Sequence, residues 1–287
     1  MTGPPLSKLC EIEDFADPDV RRVIRSVFAH ELQRFGPSFP DGVEYRKHWE
    51  VALAVRTFEA AGLLNRDTTF LGVGAGNEPT IFWLTNHARQ VFATDLYLQH
   101  DEWDASAGTG MLVDPGRYWP GPWEPRRLVV QHMDALDLRY PDGSFDGVFS
   151  ASSIEHFGDL ADVQRSLREV HRVLRLGGVA TISTEYRLAG PPPGLPGILM
   201  FDRGQLDQLV AASGLQLLAP LDLTLSARTR SDVQAFADSA ADVRAHIAVH
   251  GEILFHRLDW TRYPQLVLRH DDLVWTSVHL ALRKPAA

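Results

Sequence analysis

The stretch Thr68-Thr69-Phe70-Leu71-Gly72-Val73-Gly74-Ala75-Gly76-Asn77-Glu78-Pro79 decides the fold. Residues 68–73 are a short apolar run of strand length. The glycines that follow let the backbone turn sharply and approach a ligand closely, and a helix over 78–87 comes next, its start favouring negative charge. A dinucleotide fingerprint needs its third glycine three residues after the second. Counting from Gly74, that position is Asn77. The G-x-G-x-G spacing suits instead a nucleoside joined to an amino acid, with no pyrophosphate to cradle.

Downstream, the grammar alternates. Residues 90–94 read as a second strand ending at Asp95, and 128–132 and 145–150 as a third and fourth. Leu160, Val163, Leu167, Val170, Val173 and Leu174 trace one helix stripe, stopped by Gly177-Gly178. Strands over 179–184, about 215–222 and 275–282 follow, with a Pro/Gly loop at 188–198 and a helix at 203–212. Upstream, Asp17 and Pro18 open a helix with Val20, Val23, Ile24 and Val27 on one face, and a second helix runs from about 43 to 61. Strands alternating with helices imply an α/β chain built on an open, mostly parallel sheet. Such sheets bind ligands at the carboxyl ends of their strands.

Composition fits this reading and excludes others. The 287 residues are 45% hydrophobic and 23% charged, close to the globular average, so disorder and disulfide scaffolds are disfavoured. No apolar stretch approaches the roughly 18 residues of a membrane span, and Glu11, Glu13, Asp14, Asp17 and Asp19 stand where a signal peptide would be basic and then apolar. A cytoplasmic protein without membrane insertion is expected. The net charge of -9 argues against nucleic acid as a partner. Cys10, the single cysteine, sits in a start expected to be mobile and permits no internal disulfide.

Candidate ligand groups fall at successive strand ends. Asp95 is placed to accept from both ribose hydroxyls of a nucleoside lying across the sheet. Asp134 follows the third strand, where a carboxylate can accept from an adenine amine while Met133 lies against the ring. Taken singly, each aspartate also reads as a turn residue.

Residues from about 44 to 186 resemble a class I S-adenosylmethionine-dependent methyltransferase. The glycine loop at 72–76, Asp95, Asp134, the strand Phe145-Asp146-Gly147-Val148-Phe149-Ser150 and the run from Leu167 to Gly178 carry the resemblance. It implies a Rossmann-like, seven-stranded, mostly parallel sheet with helices on both faces. An N-terminal helical cover would span 1–63, and the methyltransferase domain 64–287 with insertions at about 96–125 and 224–274. It also implies S-adenosylmethionine as cofactor, bound by Gly72, Gly74, Gly76, Asp95, Met133, Asp134 and Ser150. Such families usually carry an acid where Gly72 stands and often a glycine where Glu78 stands. Recognition of the methionine end is therefore expected to pass to Glu78 or to the segment Tyr45, Arg46, Lys47, His48 and Trp49, with Arg46 meeting the carboxylate and Trp49 the aliphatic chain, although Trp49 also lies on the apolar face of its helix.

For the acceptor, Ser150-Ala151-Ser152-Ser153-Ile154-Glu155-His156-Phe157 lacks the Asn-Pro-Pro-Tyr type of sequence used on base amines in DNA. It offers His156 as a general base for a hydroxyl, with Glu155 to orient it and Glu185 facing the same crevice. Glu155, His156 and Glu185 are also the candidate ligands of a Mg²⁺ ion. Tyr97, Trp103, Tyr118, Trp119 and Trp123 among Asp101, Asp104 and Asp114 suit either a sugar platform or a loop anchored by aromatics. The Ser-Ile-Glu-His-Phe and Thr-Glu-Tyr segments and the closing 275–284 segment resemble actinobacterial O-methyltransferases of polysaccharide and glycolipid assembly, including methylated mannose polysaccharides. The leading expectation is methyl transfer to a carbohydrate hydroxyl, on a small-molecule or oligosaccharide acceptor, with a homodimer possible through 224–274. A lipid, quinone or other secondary metabolite is the alternative acceptor. A non-catalytic cofactor-binding partner protein comes next, and a nicotinamide dehydrogenase is a distant fourth.

Overall fold

A computed structural model describes residues 5–99 and 107–286. Its strands are β1 (Lys8–Leu9), β2 (Thr69–Val73), β3 (Gln90–Asp95), β4 (Leu128–His132), β5 (Phe145–Ala151), β6 (Leu174–Ala189), β7 (Gly194–Leu195), β8 (Ile198–Leu199), β9 (Gln216–Leu217), β10 (Val233–Ala235), β11 (Val267–His270) and β12 (Leu273–Arg283). The helices are α1 (Pro18–Val27), α2 (Ala29–Phe35), α3 (Arg46–Ala60), α4 (Pro79–Thr85), α5 (Gly110–Val113), α6 (Leu160–Val173), α7 (Arg203–Ser213), α8 (Ala227–Ser231) and α9 (Phe236–His250).

The central sheet runs β10-β11-β12-β6-β5-β2-β3-β4, and β1 and β9 pair with β12 outside that path. β4, β3, β2, β5 and β6 are mutually parallel, whereas β12 is antiparallel to β6 from Val179 to Ala189. The sheet therefore has 10 strands, not the expected seven. The three additional strands, β1, β10 and β11, are two to four residues long, too short to show a period of two; β1 and β11 pair with β12, and β10 with β11. The second expected insertion supplies β10 and β11.

Both faces of the sheet are covered, as its alternation requires. Phe70, Phe149 and Val179 face one hydrophobic cluster with α1, α3 and α4, while Leu71, Val73, Val148, Ala180 and Ile182 face another with α6 and α7. Asp17 caps α1 by accepting from the amides of Asp19 and Val20 at 3.0 Å. α6 and α7 both open with a capping box, on Asp159 and Asp202. α6 ends at Val173, and β6 begins directly at Leu174, so Gly177-Gly178 lie within the strand rather than ending the helix.

Cys10 is packed into the fold, contrary to expectation. β1 pairs with β12, Cys10 is fully buried, and its amide donates to Ser277 O at 2.9 Å. Among the described residues, no helix is long and apolar enough to cross a membrane.

The chain passes from β2 to β3 and β4 on one side and then jumps to β5 on the other. This reversal opens a crevice at the carboxyl ends of β2 and β5, where ligands bind in open α/β sheets.

Candidate active site

A cavity of about 810 Å³ occupies that crevice, within the usual range for small-molecule sites. Gly74, Gly76, Asn77 and Glu78 after β2, Asp95 at the end of β3, Met133 and Asp134 after β4, and Ala151, Ser152 and Ser153 after β5 form its walls. His156, Phe157, Lys47, Ile253 and Phe255 complete the lining.

The nucleoside-type end is held by backbone. Gly74 and Gly76 have φ of +59° and +46°, so the turn needs residues that tolerate the left-handed region. Asp95 accepts from the Gly76 amide and from the Leu96 amide, each at 2.7 Å, tying the end of β3 to the glycine loop. Tyr97 OH donates to Gly76 O at 2.6 Å from beneath. Asp134 accepts from the Leu136 amide at 2.8 Å, which fixes its carboxylate at the rim. The sequence places Asp95, Met133, Asp134 and two of the three glycines together at one site, and the fold keeps them together.

Gly72 and Ser150 stand apart from the cavity wall. Gly72 lies against the sheet, where a Cβ would come within 2.7 Å of the Phe149 ring and 2.8 Å of Ala75 Cβ. Ser150 is buried.

The other end carries a buried ionic network. Lys47 Nζ donates to Glu78 Oε1 at 2.8 Å and to Ala151 O at 3.2 Å, and pairs with Glu50 at 2.9 Å. Glu50 also accepts from Ser152 and Ser277. Burial opposes the Lys47 charge, but Glu50 and Glu78 outweigh it and hold the ammonium above its ordinary pKa. Burial pushes Glu78 up despite Lys47.

Three expected cofactor residues take other places. Arg46 pairs with Glu185 at 3.0 Å behind the cavity. Tyr45 lines a small neighbouring recess with His48, Trp260 and Tyr263. Trp49 is fully buried, its indole N–H donating to Asp14 at 2.7 Å, so the apolar-face reading of this residue holds. Lys47, in the same segment, reaches the cavity instead.

Of the proposed catalytic residues, His156 lines the cavity and Glu155 and Glu185 do not. Nδ1 of His156 lies 2.8 Å from Gly197 O. A carbonyl only accepts, so Nδ1 carries the proton and Nε2 is the basic nitrogen. Gly197, from the β7–β8 turn, thus orients the imidazole in place of the expected Glu155. Glu155 is buried and accepts from Thr184 at 2.8 Å. Burial lifts Glu155 and Glu185 to about 7. With Glu155 on Thr184, Glu185 on Arg46 and His156 on Gly197, the three do not form a ligand set, and no metal-holding cluster of His, Cys, Asp or Glu occurs among the described residues.

The two candidate insertions interlock above the cavity. Arg117 and Tyr118 donate to Glu252, His256 Nδ1 donates to Tyr118 O at 3.2 Å, and Asn77 Nδ2 donates to Ile253 O at 2.7 Å. Tyr97, Tyr118 and Trp119 are buried, with Trp119 stacked on Phe82 and Trp123 edge-on to it. They anchor the loop; Asp101, Trp103 and Asp104 lie outside the described residues. Sequence reasoning singled out Phe255 only as part of a lid or dimer surface and missed Ile253, because nothing in the weakly periodic 224–274 segment marks which residues return to the strand ends.

Residues 71–182 match the methyltransferase domain family. A 27-O-demethylrifamycin SV methyltransferase from Amycolatopsis mediterranei is 30% identical over 149 residues, 51% of this chain and 49% of that protein. A chloroplastic 2-methyl-6-phytyl-1,4-hydroquinone methyltransferase from Oryza sativa subsp. japonica is 47% identical over 133 residues, 46% of this chain and 34% of that protein. The chain thus spans half or less of the length of these curated relatives. In overall fold it is similar to the crystal structures of the (4+2)-cyclase SpnF (TM-score 0.53, 19% identity, all of both chains) and of the YcgJ protein from Bacillus subtilis (TM-score 0.51, 18% identity, 84% of this chain and 100% of that one). A cyclase on this fold shows that architecture alone does not fix chemistry. The family match over residues 71–182 and the strand-end geometry thus fall on the same part of the chain: the end of β2, the strands β3 to β5 and the loops that follow them lie within the stretch similar to the methyltransferase domain family.

Proposed function

We propose that this protein transfers the methyl group of S-adenosylmethionine to a hydroxyl oxygen of an apolar small molecule of the quinol or secondary-metabolite class, with His156 as general base. The observation that carries this reading is that Phe157, Ile253 and Phe255 line the same cavity as His156. A polyhydroxyl sugar would leave hydroxyls without partners against such a wall, at a cost of about 1–3 kcal/mol for each buried group. The relatives named for a hydroquinone and for rifamycin SV support the same class.

The residues fit the cofactor. Asp95 would accept from the ribose hydroxyls, Met133 would lie against the adenine, Asp134 would accept from its amine, and the glycine loop would let the backbone approach. The cofactor supplies a methyl group made electrophilic by its sulfonium. The chain holds the acceptor oxygen in line with that carbon, excludes water with Ile253 and Phe255, and takes the hydroxyl proton on His156 Nε2 as the carbon–oxygen bond forms and the carbon–sulfur bond breaks.

An acceptor screen that detects S-adenosylhomocysteine tests this directly. Turnover is expected with substituted hydroquinones or polyketide phenols, not with mannose oligosaccharides, and with no change on adding a chelator. Turnover confined to sugars would overturn the acceptor class. No turnover with any acceptor would favour a non-catalytic cofactor-binding protein.

A further inference from the structure

The helix α9 is buried at two of its residues, Ser239 and His246, and neither is apolar. They stand two turns apart on one face of the helix. Polar groups at inward positions need hydrogen bonds there, and both have them. Ser239 Oγ accepts from Gln265 Nε2 at 2.7 Å, and His246 Nε2 accepts from the Leu254 amide at 3.1 Å. In place of an apolar stripe, side-chain bonds tie α9 to the segment that follows it.

The second of these bonds bears on the cavity. Gly251 ends α9 with a φ of +79°, its amide donating to Ile247 O at 2.7 Å, and this left-handed residue turns the chain back so that Leu254 meets His246. Leu254 is extended, with φ of −107° and ψ of 96°, so its side chain and those of its neighbours fall on opposite sides of the backbone. Leu254 accordingly enters the hydrophobic cluster of α1, α3 and α4, while Ile253 and Phe255 line the cavity that His156 also lines. The peptide group joining Ile253 to Leu254 is held at both ends: Asn77 donates to its carbonyl at 2.7 Å, and its N–H donates to His246. Because that group is planar, two bonds from opposite sides fix its orientation. A backbone N–H only donates, so Nε2 of His246 carries no proton and the ring is neutral, with its proton on Nδ1. Burial first, then the charges of His250 and Arg257, hold this imidazole below its ordinary pKa and favour that form.

We infer that His246 is a positioning residue for the methyl acceptor: by accepting from the Leu254 amide it sets where Ile253 and Phe255 stand in the cavity, without lining the cavity itself. The inference rests on the function proposed above, which puts the acceptor against these two side chains. It adds that their placement is controlled from α9, by a neutral imidazole outside the site.

Hydrogen exchange at the Leu254 amide, together with steady-state kinetics on trimethylhydroquinone and on naphthol, tests it in the wild-type protein, His246→Ala and His246→Gln. Glutamine offers an amide oxygen near the place of Nε2 and so keeps an acceptor. The Leu254 amide should be protected in the wild type and in His246→Gln, and about 10-fold or more less protected in His246→Ala. The acceptor KM should rise about 10-fold in His246→Ala, with kcat and the affinity for S-adenosylhomocysteine within about threefold of wild type, and should return close to the wild-type value in His246→Gln. A role confined to folding would not produce that split between KM and kcat. An unprotected Leu254 amide in the wild type would overturn the inference, as would an unchanged acceptor KM in His246→Ala. Should His246→Ala fail to fold, His246→Gln decides: a protected Leu254 amide with a wild-type KM supports the inference, and a protected amide with a KM raised about 10-fold overturns it. Absence of wild-type turnover with both acceptors, while S-adenosylhomocysteine still binds, would instead bring down the proposed function and the inference with it.

Discussion

The nucleoside-type end of the cavity is built by loops that each follow one of the parallel strands β2 to β5, whereas the far end joins the first turn of α3 to residues 253–255, remote in the chain. At the first end, sheet register brings Gly76, Asp95 and Met133 together, and the Asp95 carboxylate then braces the Gly76 amide: Val73 of β2 pairs with Thr94 of β3, and Asp95 with His132 of β4. At the second, side-chain bonds do the positioning, from Lys47 to Glu78 and from Asn77 to Ile253. The difference explains why one end can be common to many proteins of this fold while the other is free to choose the acceptor.

The largest expected effect lies at the reacting end. His156→Ala should lower kcat by about 10²- to 10⁴-fold, the usual contribution of a general base, with the affinity for S-adenosylhomocysteine unchanged. Wild-type turnover in that variant would remove the proposed base. Asp95→Ala should weaken cofactor affinity by about 10²-fold or more, since it removes an ionised acceptor and also frees the Gly76 amide it braces. This loss should appear equally with every acceptor, which separates it from changes at the other end.

Glu155 and Glu185 give a smaller effect, read in stability. Burial lifts both carboxyls from 4.5 to about 7 in the folded state. Between those values the folded chain holds more protons than the unfolded one, so stability falls as pH rises, by roughly 1–3 kcal/mol over the window. Denaturant unfolding at pH 5 and pH 8 should show the decline, and Glu155→Gln should flatten it; an equally steep decline in that variant would contradict the assignment. Smallest is Phe255→Ala, expected to raise the acceptor KM about 10-fold for an apolar acceptor, through lost contact, while sparing cofactor binding.

The same comparison accounts for what the sequence made legible. Strands β2 to β5 announce themselves by apolar runs ended by Gly, Asp or Ser, and the groups placed at their ends followed directly. β1, β10 and β11 carry no such signal, because two to four residues cannot display a period, and of the strand expected at about 215–222 only Gln216 and Leu217 of β9 pair with β12. Glu155 and Glu185 sit beside the site in sequence, yet Thr184 and Arg46 hold them behind its wall. Trp49 and Lys47 are two residues apart on one helix and so point to different sides: one goes to Asp14 in the core and the other to Glu78 at the cavity. Which of them serves the ligand depended on partners far away in the chain.

A crystal structure of the protein with S-adenosylhomocysteine tests the central claim most directly. The account predicts the ribose hydroxyls within hydrogen-bonding distance of Asp95, the adenine against Met133 with its amine toward Asp134, and the sulfur facing His156. A nucleoside bound elsewhere, or a cavity left empty at saturating ligand, would contradict it.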